Sequence, residues 1–310
     1  MSRNMLAAIG GGALSGLLYV GALGGVLGLA LFMELPLFLA GLGLGTRAAV
    51  VAGVAGVIPV LFAGGAEAAL NFAMTTAAPV VVLSRQALLW RRAEESKEDV
   101  EWYPPGLLIT WLAGIALALL LAAMLVFSGT EGGLAAVVRE STLQVLTRLY
   151  PNAESTRIEA FATAIAPVVP GIALSGWTLL VAGNGIAAQA LLARFGRALR
   201  PSARMEALTL PHWLPLALAG CAALALLGGP AGFFGANAFL VLGVPFFFAG
   251  LGVVHALVRK SGAGTVALVV FYGLTAAFGW PVVLIAVLGL IDQWVDFRAR
   301  WLRDAVDKEG

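Results

Sequence analysis

Few residues in this chain carry side chains able to bind or transform a polar molecule, and their spacing decides what chemistry they could do. Glu67, Asn71 and Thr75 recur at every fourth position, which sets a carboxylate, an amide and a hydroxyl in one line along a helix. In apolar surroundings such a line marks a polar ligand cavity; the competing reading leaves Glu67 in a loop and has Asn71 bond a neighbouring helix. Asn184, beside Gly185, poses the same choice and joins those three as a candidate substrate-binding residue. Glu34 and His255 are candidates for a proton or polar relay. Against this, Glu34 reads as an interfacial charge at the outer end of a short segment, and His255, one turn before Arg259, as an interfacial histidine, like His212 beside Trp213. Asn237 reads as a helix cap. Asp292 and Asp296 lie four apart like a carboxylate pair, but Arg300 follows at the same interval and a solvated ion pair explains them.

Absent motifs narrow the chemistry further. The chain has no phosphate-binding Gly-x-x-x-x-Gly-Lys-Ser/Thr loop, no His-Glu-x-x-His and no Gly-x-Ser-x-Gly. Gly43-Leu-Gly45-Thr-Arg-Ala48 fits the dinucleotide fingerprint only formally, because it follows no strand. Lone Cys221 excludes an internal disulfide and a cysteine metal site, so neither a metal nor a cofactor is expected. No nucleophile, base and metal ligands converge, and the chain reads as non-enzymatic.

The elements that position these residues are membrane helices. The 310 residues are 60% hydrophobic and 12% charged, with mean hydropathy +0.95, far from the roughly 25% charged residues of soluble domains. The expected fold is an all-α polytopic bundle of about 8–10 spans in the lipid bilayer. The spans are expected at Met5–Phe32, Leu35–Gly45, Ala48–Phe62, Ala68–Trp90, Leu107–Phe127, Phe161–Leu192, Trp213–Leu227, Asn237–Leu257 and Val266–Val282, with a last helix running through Ile291 to Arg303. These form one membrane domain: an N-terminal half over 1–127, an extracytoplasmic segment over 128–160 and a C-terminal half over 161–310.

Small residues Ala8, Gly12 and Gly16 make a helix-packing or partner face on the first span. Gly41, Gly43 and Gly45 do the same for the short second span, which is expected as a tightly packed helix inside the bundle. Gly133–Tyr150 reads as an amphipathic surface helix, with Leu134, Val137, Val138, Val145, Leu146 and Leu149 opposite Arg139, Glu140, Gln144 and Arg148. The sixth span is expected to break at Pro167 and Pro170-Gly171. The final helix is amphipathic, with Trp294, Trp301 and Leu302 on one face and Asp296, Arg300 and Arg303 on the other. The charged loop from Arg91 through Lys97 reads as solvated. Basic residues fall overwhelmingly on one side when both termini are cytoplasmic, the expected location being the bacterial inner membrane. The net charge of +2, with arginines dispersed over separate loops, implies no nucleic-acid partner.

Pro36-Leu-Phe-Leu-Ala-Gly-Leu-Gly43 is echoed by Pro245-Phe-Phe-Phe-Ala-Gly-Leu-Gly252, which suggests a parallel repeat of spans one to four in seven to ten. Leu35-Pro-Leu-Phe-Leu-Ala-Gly-Leu-Gly-Leu-Gly45, Phe248-Ala-Gly-Leu-Gly-Val-Val-His255-Ala-Leu-Val-Arg-Lys260 and Gly289-Leu-Ile-Asp292-Gln-Trp-Val-Asp-Phe-Arg298 together resemble an uncharacterised bacterial membrane-protein family, the YybS-like group in its alphaproteobacterial form. That family is distantly similar to the substrate-binding subunits of energy-coupling vitamin importers and to the rod-shape protein MreD. The importer likeness implies that Ala8, Gly12 and Gly16 pack against a protein partner. Two functions follow: a substrate-binding or transport-type subunit that takes energy from a partner or a gradient, or a membrane scaffold for envelope proteins. A homo-oligomer is compatible with both, and no particular small-molecule ligand is implied.

Overall fold

The structure, a computed structural model, describes residues 2–92, 100–205, 208–261 and 264–297. The solvated reading of the loop through Lys97 and the amphipathic reading around Arg298, Arg300, Trp301, Leu302 and Arg303 lie outside these residues. The chain divides into two compact units, each described by itself. Unit 1 comprises residues 1–112 and 179–204, and unit 2 comprises 113–178 and 205–310.

In unit 1, α1 (Arg3–Leu23) is capped by Ser2 and ends at Gly24, followed by Gly25 at φ +100°. This corrects the single helix expected to Phe32. A glycine at positive φ stops the helix, and the chain turns back as a 3-10 segment, Leu27–Phe32, that leads into α2 (Leu35–Leu44). Gly45, at φ +99°, turns α2 into α3 (Thr46–Phe72). That helix breaks at Gly65, continues through a π segment, Ala73–Ala77, and ends in α4 (Ala78–Ala87). The two arms fold back on each other: a Cβ at Gly53 would touch the Ala77 methyl at 3.4 Å, and one at Gly56 would touch the Phe72 ring at 2.8 Å. A short antiparallel hairpin follows, β1 (Trp90–Arg92) paired with β2 (Val100–Trp102).

α5 (Pro105–Val126) and α8 (Val169–Arg194) each belong partly to both units. Unit 2 also contains α6 (Gly133–Leu149), α7 (Ser155–Ile165), a 3-10 turn Ala166–Val168, α9 (Leu214–Ala225), α10 (Gly229–Ser261), α11 (Gly264–Phe278) and α12 (Pro281–Val295). α6 buries no residue; Leu134, Val137, Val138 and Leu146 are half-buried, while Arg139, Glu140, Gln144 and Arg148 are exposed. Pro167 and Pro170 coincide with the break between α7 and α8.

Among the described residues, six stretches are long and apolar enough to cross a membrane. Thr46–Ala87 is 42 residues, about twice a bilayer's thickness at ~1.5 Å per residue, which is why its break at Gly65 matters. The burial pattern is that of a protein dissolved in lipid. α1 buries Ala8, Gly12, Ser15, Gly16 and Tyr19 while exposing Leu6, Ile9, Leu14 and Leu17. α3 buries Ala49, Ala52 and Gly56 and exposes Val50, Val54 and Ile58. Small residues inward and large aliphatics outward is the arrangement by which helices pack when the solvent is itself apolar.

Candidate functional site

α1 and α3 meet through backbone. A side chain at Gly12 would strike the Ala52 carbonyl and one at Gly16 the Gly56 carbonyl. Because these pairs advance together, the two helices run parallel, and Arg3 and Arg47 open them at the same end. Gly12 and Gly16 are therefore covered by α3 of their own unit, and Ala8, one turn earlier, is fully buried, which corrects the partner role that the importer likeness implied. Gly41 is closed off by Ser84 of α4 and Gly43 by Leu192 of α8, whereas Gly45 meets nothing and serves the turn.

The line of Glu67, Asn71 and Thr75 does not enclose a cavity. Glu67 and Asn71 are exposed and Thr75 is half-buried. The Tyr19 hydroxyl donates to Asn71 Oδ1 at 2.8 Å, and Thr75 Oγ1 donates to the Asn71 carbonyl at 2.8 Å. Tyr19 also stacks edge-on against Phe72 at 5.3 Å. This is a clasp between α1 and the break after α3. Glu67 lies beyond the Gly65 turn, at the end of the unit away from Arg3 and Arg47.

Asn184 and Glu34, which sequence reasoning put in different groups, come together. Glu34 is fully buried, at the turn between the 3-10 segment and α2, and its Oε2 accepts from Asn184 Nδ2 at 3.2 Å. The same amide donates to the Leu31 carbonyl at 2.9 Å, freed by the helix break, and to the Leu180 carbonyl one turn back in α8, at 2.9 Å. An amide nitrogen carries two protons, so three acceptors compete for them and the carboxyl holds the longest contact. Glu34 Oε1 is buried with no hydrogen-bond partner. Ser15, also fully buried, donates to the Met33 carbonyl at 2.5 Å. Gly185 lets the Phe38 ring approach α8, its Cβ position lying 3.4 Å from the ring, and this brings the two polar side chains together.

Depth follows from helix rise. Ser15 lies about 18 Å along α1 from Arg3, and Asn184 about 15 Å along α8 from Arg194, at ~1.5 Å per residue. A hydrocarbon core is about 30 Å thick. The Glu34 pair thus sits at mid-depth, not at the interface where the interfacial-charge reading places it. That reading carried the first helix to Phe32; because α1 stops at Leu23, the 3-10 segment has already re-entered the bundle by residue 34.

His255 belongs to unit 2, half-buried on α10. Its Nδ1 lies 2.8 Å from the Leu251 carbonyl, and Tyr272 Oη lies 3.5 Å from Nε2. Asn237, expected as a cap, is instead fully buried well inside α10. Asp292 Oδ1 accepts from the Phe297 amide at 3.0 Å, closing the end of α12. No group of three or more His, Cys, Asp or Glu that could hold a metal occurs among the described residues.

Sequence reasoning missed two features of unit 1. One is Ser15, whose signal was its place in the small-residue face of α1. The other is buried Arg200, whose Nη1 donates to the carbonyls of Ala87 at 2.8 Å and Tyr103 at 3.4 Å, with its guanidinium 5.8 Å from the Trp102 ring. It caps the last turn of α4 and ties the hairpin to the exit of α8. Burial pulls the Arg200 proton affinity below the ordinary guanidinium range.

A family model described as a predicted membrane protein (DUF2232) matches residues 13–293. The match covers both units. No curated protein and no solved structure matches the chain.

Proposed function

The chain belongs to the DUF2232 family of predicted membrane proteins, and within that frame we propose that it is a non-enzymatic, transport-type or substrate-binding membrane subunit. Its working site is the Glu34–Asn184 pair, which binds a small polar or cationic solute. The observation that carries this reading is the unpartnered Oε1 of a fully buried carboxyl at mid-depth, beside a broken helix. Discontinuous helices free backbone carbonyls at the depth where transporters bind their cargo, and ionisable groups there are too costly to keep without a use. The chain has no nucleotide-hydrolysing loop, so its energy comes from a gradient or a partner. By the positive-inside rule, the end of unit 1 that holds Arg3 and Arg47 faces the cytoplasm, in a bacterial inner membrane. The scaffold reading rested partly on the small-residue face of α1, which α3 already covers.

Native mass spectrometry from mild detergent tests the proposal. The wild type is expected to retain a small polar or cationic adduct, or to take one up from a panel of amines and monovalent cations, and Glu34→Gln is expected to lose it. Identical adducts on both proteins, or none on either, would overturn the reading.

A further inference from the structure

Unit 1 carries its arginines at one end. Parallel packing puts Arg3 and Arg47 together. α2 then ends between two other helices: Gly41 abuts Ser84, next to Arg85 of α4, and Gly43 abuts Leu192, two residues before Arg194 of α8. Arg197 follows within one turn. Arg47, Arg85, Arg194 and Arg197 are all exposed, and none has a hydrogen bond or ion pair with a described residue.

The described acids of unit 1 offer these arginines no counter-charge. Glu34 is buried at mid-depth, Glu67 lies at the opposite end, and Glu101 is held by Arg91 at 2.7 Å. Exposed cations gathered around one helix end repel unless something outside the unit neutralises them. The position of the cluster chooses the counter-ion. It lies where the apolar helices stop, at headgroup level, beside exposed Trp90 and Trp111 and half-buried Trp102, and Trp111 Nε1 donates to Tyr103 Oη at 2.9 Å. Tryptophans at this level are interface anchors, and a multivalent cationic patch among them suits phosphate-bearing lipid.

We propose that the arginine cluster around the end of α2 binds the headgroups of anionic phospholipids in the adjoining leaflet. Guanidinium groups fit phosphate oxygens in pairs, so a phosphodiester headgroup can bridge Arg47 to Arg194 or Arg85, drawing the separate helix ends together. The rival occupant is the chain's own segment between β1 and β2, whose sequence carries Glu94, Glu95, Glu98 and Asp99.

The test uses delipidated full-length protein reconstituted in nanodiscs or mixed micelles, with lipid binding read by native mass spectrometry and by the thermal midpoint. Phosphatidylglycerol is expected to bind and stabilise in preference to phosphatidylcholine. The preference should fall about fivefold for each arginine changed to glutamine among R47Q, R85Q, R194Q and R197Q, and fade with added salt. The corresponding lysine variants should keep most of it, which separates charge from folding. Equal binding of the two lipids, or a fourfold glutamine variant with unchanged preference, overturns the proposal. Displacement of phosphatidylglycerol by inorganic phosphate at matched ionic strength would overturn the lipid assignment in favour of a soluble anion. A preference that emerges only when Glu94, Glu95, Glu98 and Asp99 are neutralised would overturn it in favour of an internal salt bridge.

Discussion

Asn237 in unit 2 and Asn184 in unit 1 are both buried amides beside an interrupted helix, yet the polar groups around them are served very differently. Asn237 inserts into the break at the start of α8. In an unbroken helix the Gly171 amide would bond the Pro167 carbonyl four residues back. Here the Gly171 amide donates to Asn237 Oδ1 at 2.5 Å, and Asn237 Nδ2 donates to the Pro167 and Phe233 carbonyls at 2.8 and 2.7 Å. Gly171 is needed because a Cβ there would lie 2.8 Å from the Asn237 Cα. Every hydrogen-bonding group of that side chain is used, and it works as a splint. Asn184 shares its two protons among the Leu31 and Leu180 carbonyls and Glu34 Oε2, and Glu34 Oε1 is left with no donor. A satisfied amide at a break stabilises the break, whereas the carboxyl at the other break keeps one oxygen unserved, the feature on which the proposed binding site rests.

The largest expected effect tests the splint. Asn237→Leu orphans the Gly171 amide and the Pro167 carbonyl in an apolar interior. It should lower unfolding free energy by about 3 kcal/mol, read by reversible denaturation in mixed micelles, without changing which adducts bind. Next comes Asn184→Leu, which frees the Leu31 carbonyl and the carboxyl. A loss of about 1–2 kcal/mol is expected, accompanied by loss of the bound solute. A variant that costs stability but leaves binding intact would make Asn184 a second splint and erase the contrast. Ser15→Ala removes one buried donor to Met33 and should cost about 1 kcal/mol, with weakened binding because the 3-10 segment loosens. The smallest effect is expected at Glu67→Gln, exposed at the far end of unit 1. Its thermal midpoint and adducts should match the wild type, and a loss of binding there would move the site back to the Glu67–Asn71–Thr75 line.

Much of the architecture was legible because lipid imposes simple rules. Long apolar runs had to be helices, and four-residue spacing of Ala8, Gly12 and Gly16 showed which face of α1 packs. In both copies of Pro-x-Phe-x-Ala-Gly-Leu-Gly the first glycine meets a later helix of its own unit. Gly41 abuts Ser84 of α4, and Gly250 abuts the Ile285 carbonyl of α12, each the second α-helix onward. The site was less legible. Spacing showed that Asn71 and Thr75 share a face, but not that Tyr19 arrives from α1 to occupy it. Glu34 looked interfacial because hydropathy does not register that Gly24-Gly25 ends a helix early, which moves residue 34 from the surface to mid-depth. The hairpin Trp90–Arg92 with Val100–Trp102 was read as loop, since strands of three residues with mixed charge carry no period-two pattern. Arg200 looked like one more loop arginine; its capping of Ala87 depends on a neighbour distant in sequence.

The central claim is that Glu34 is held in place against stability, and Glu34→Leu tests it most directly. Leucine fills a similar volume and leaves Asn184 both of its carbonyl partners, so the substitution removes only the under-served carboxyl. The thermal midpoint of the purified protein in detergent, without added solute, should rise by about 2–4 °C while solute binding disappears. A midpoint that falls by a similar amount, with binding unchanged, would show the carboxyl to be part of the framework and contradict the account.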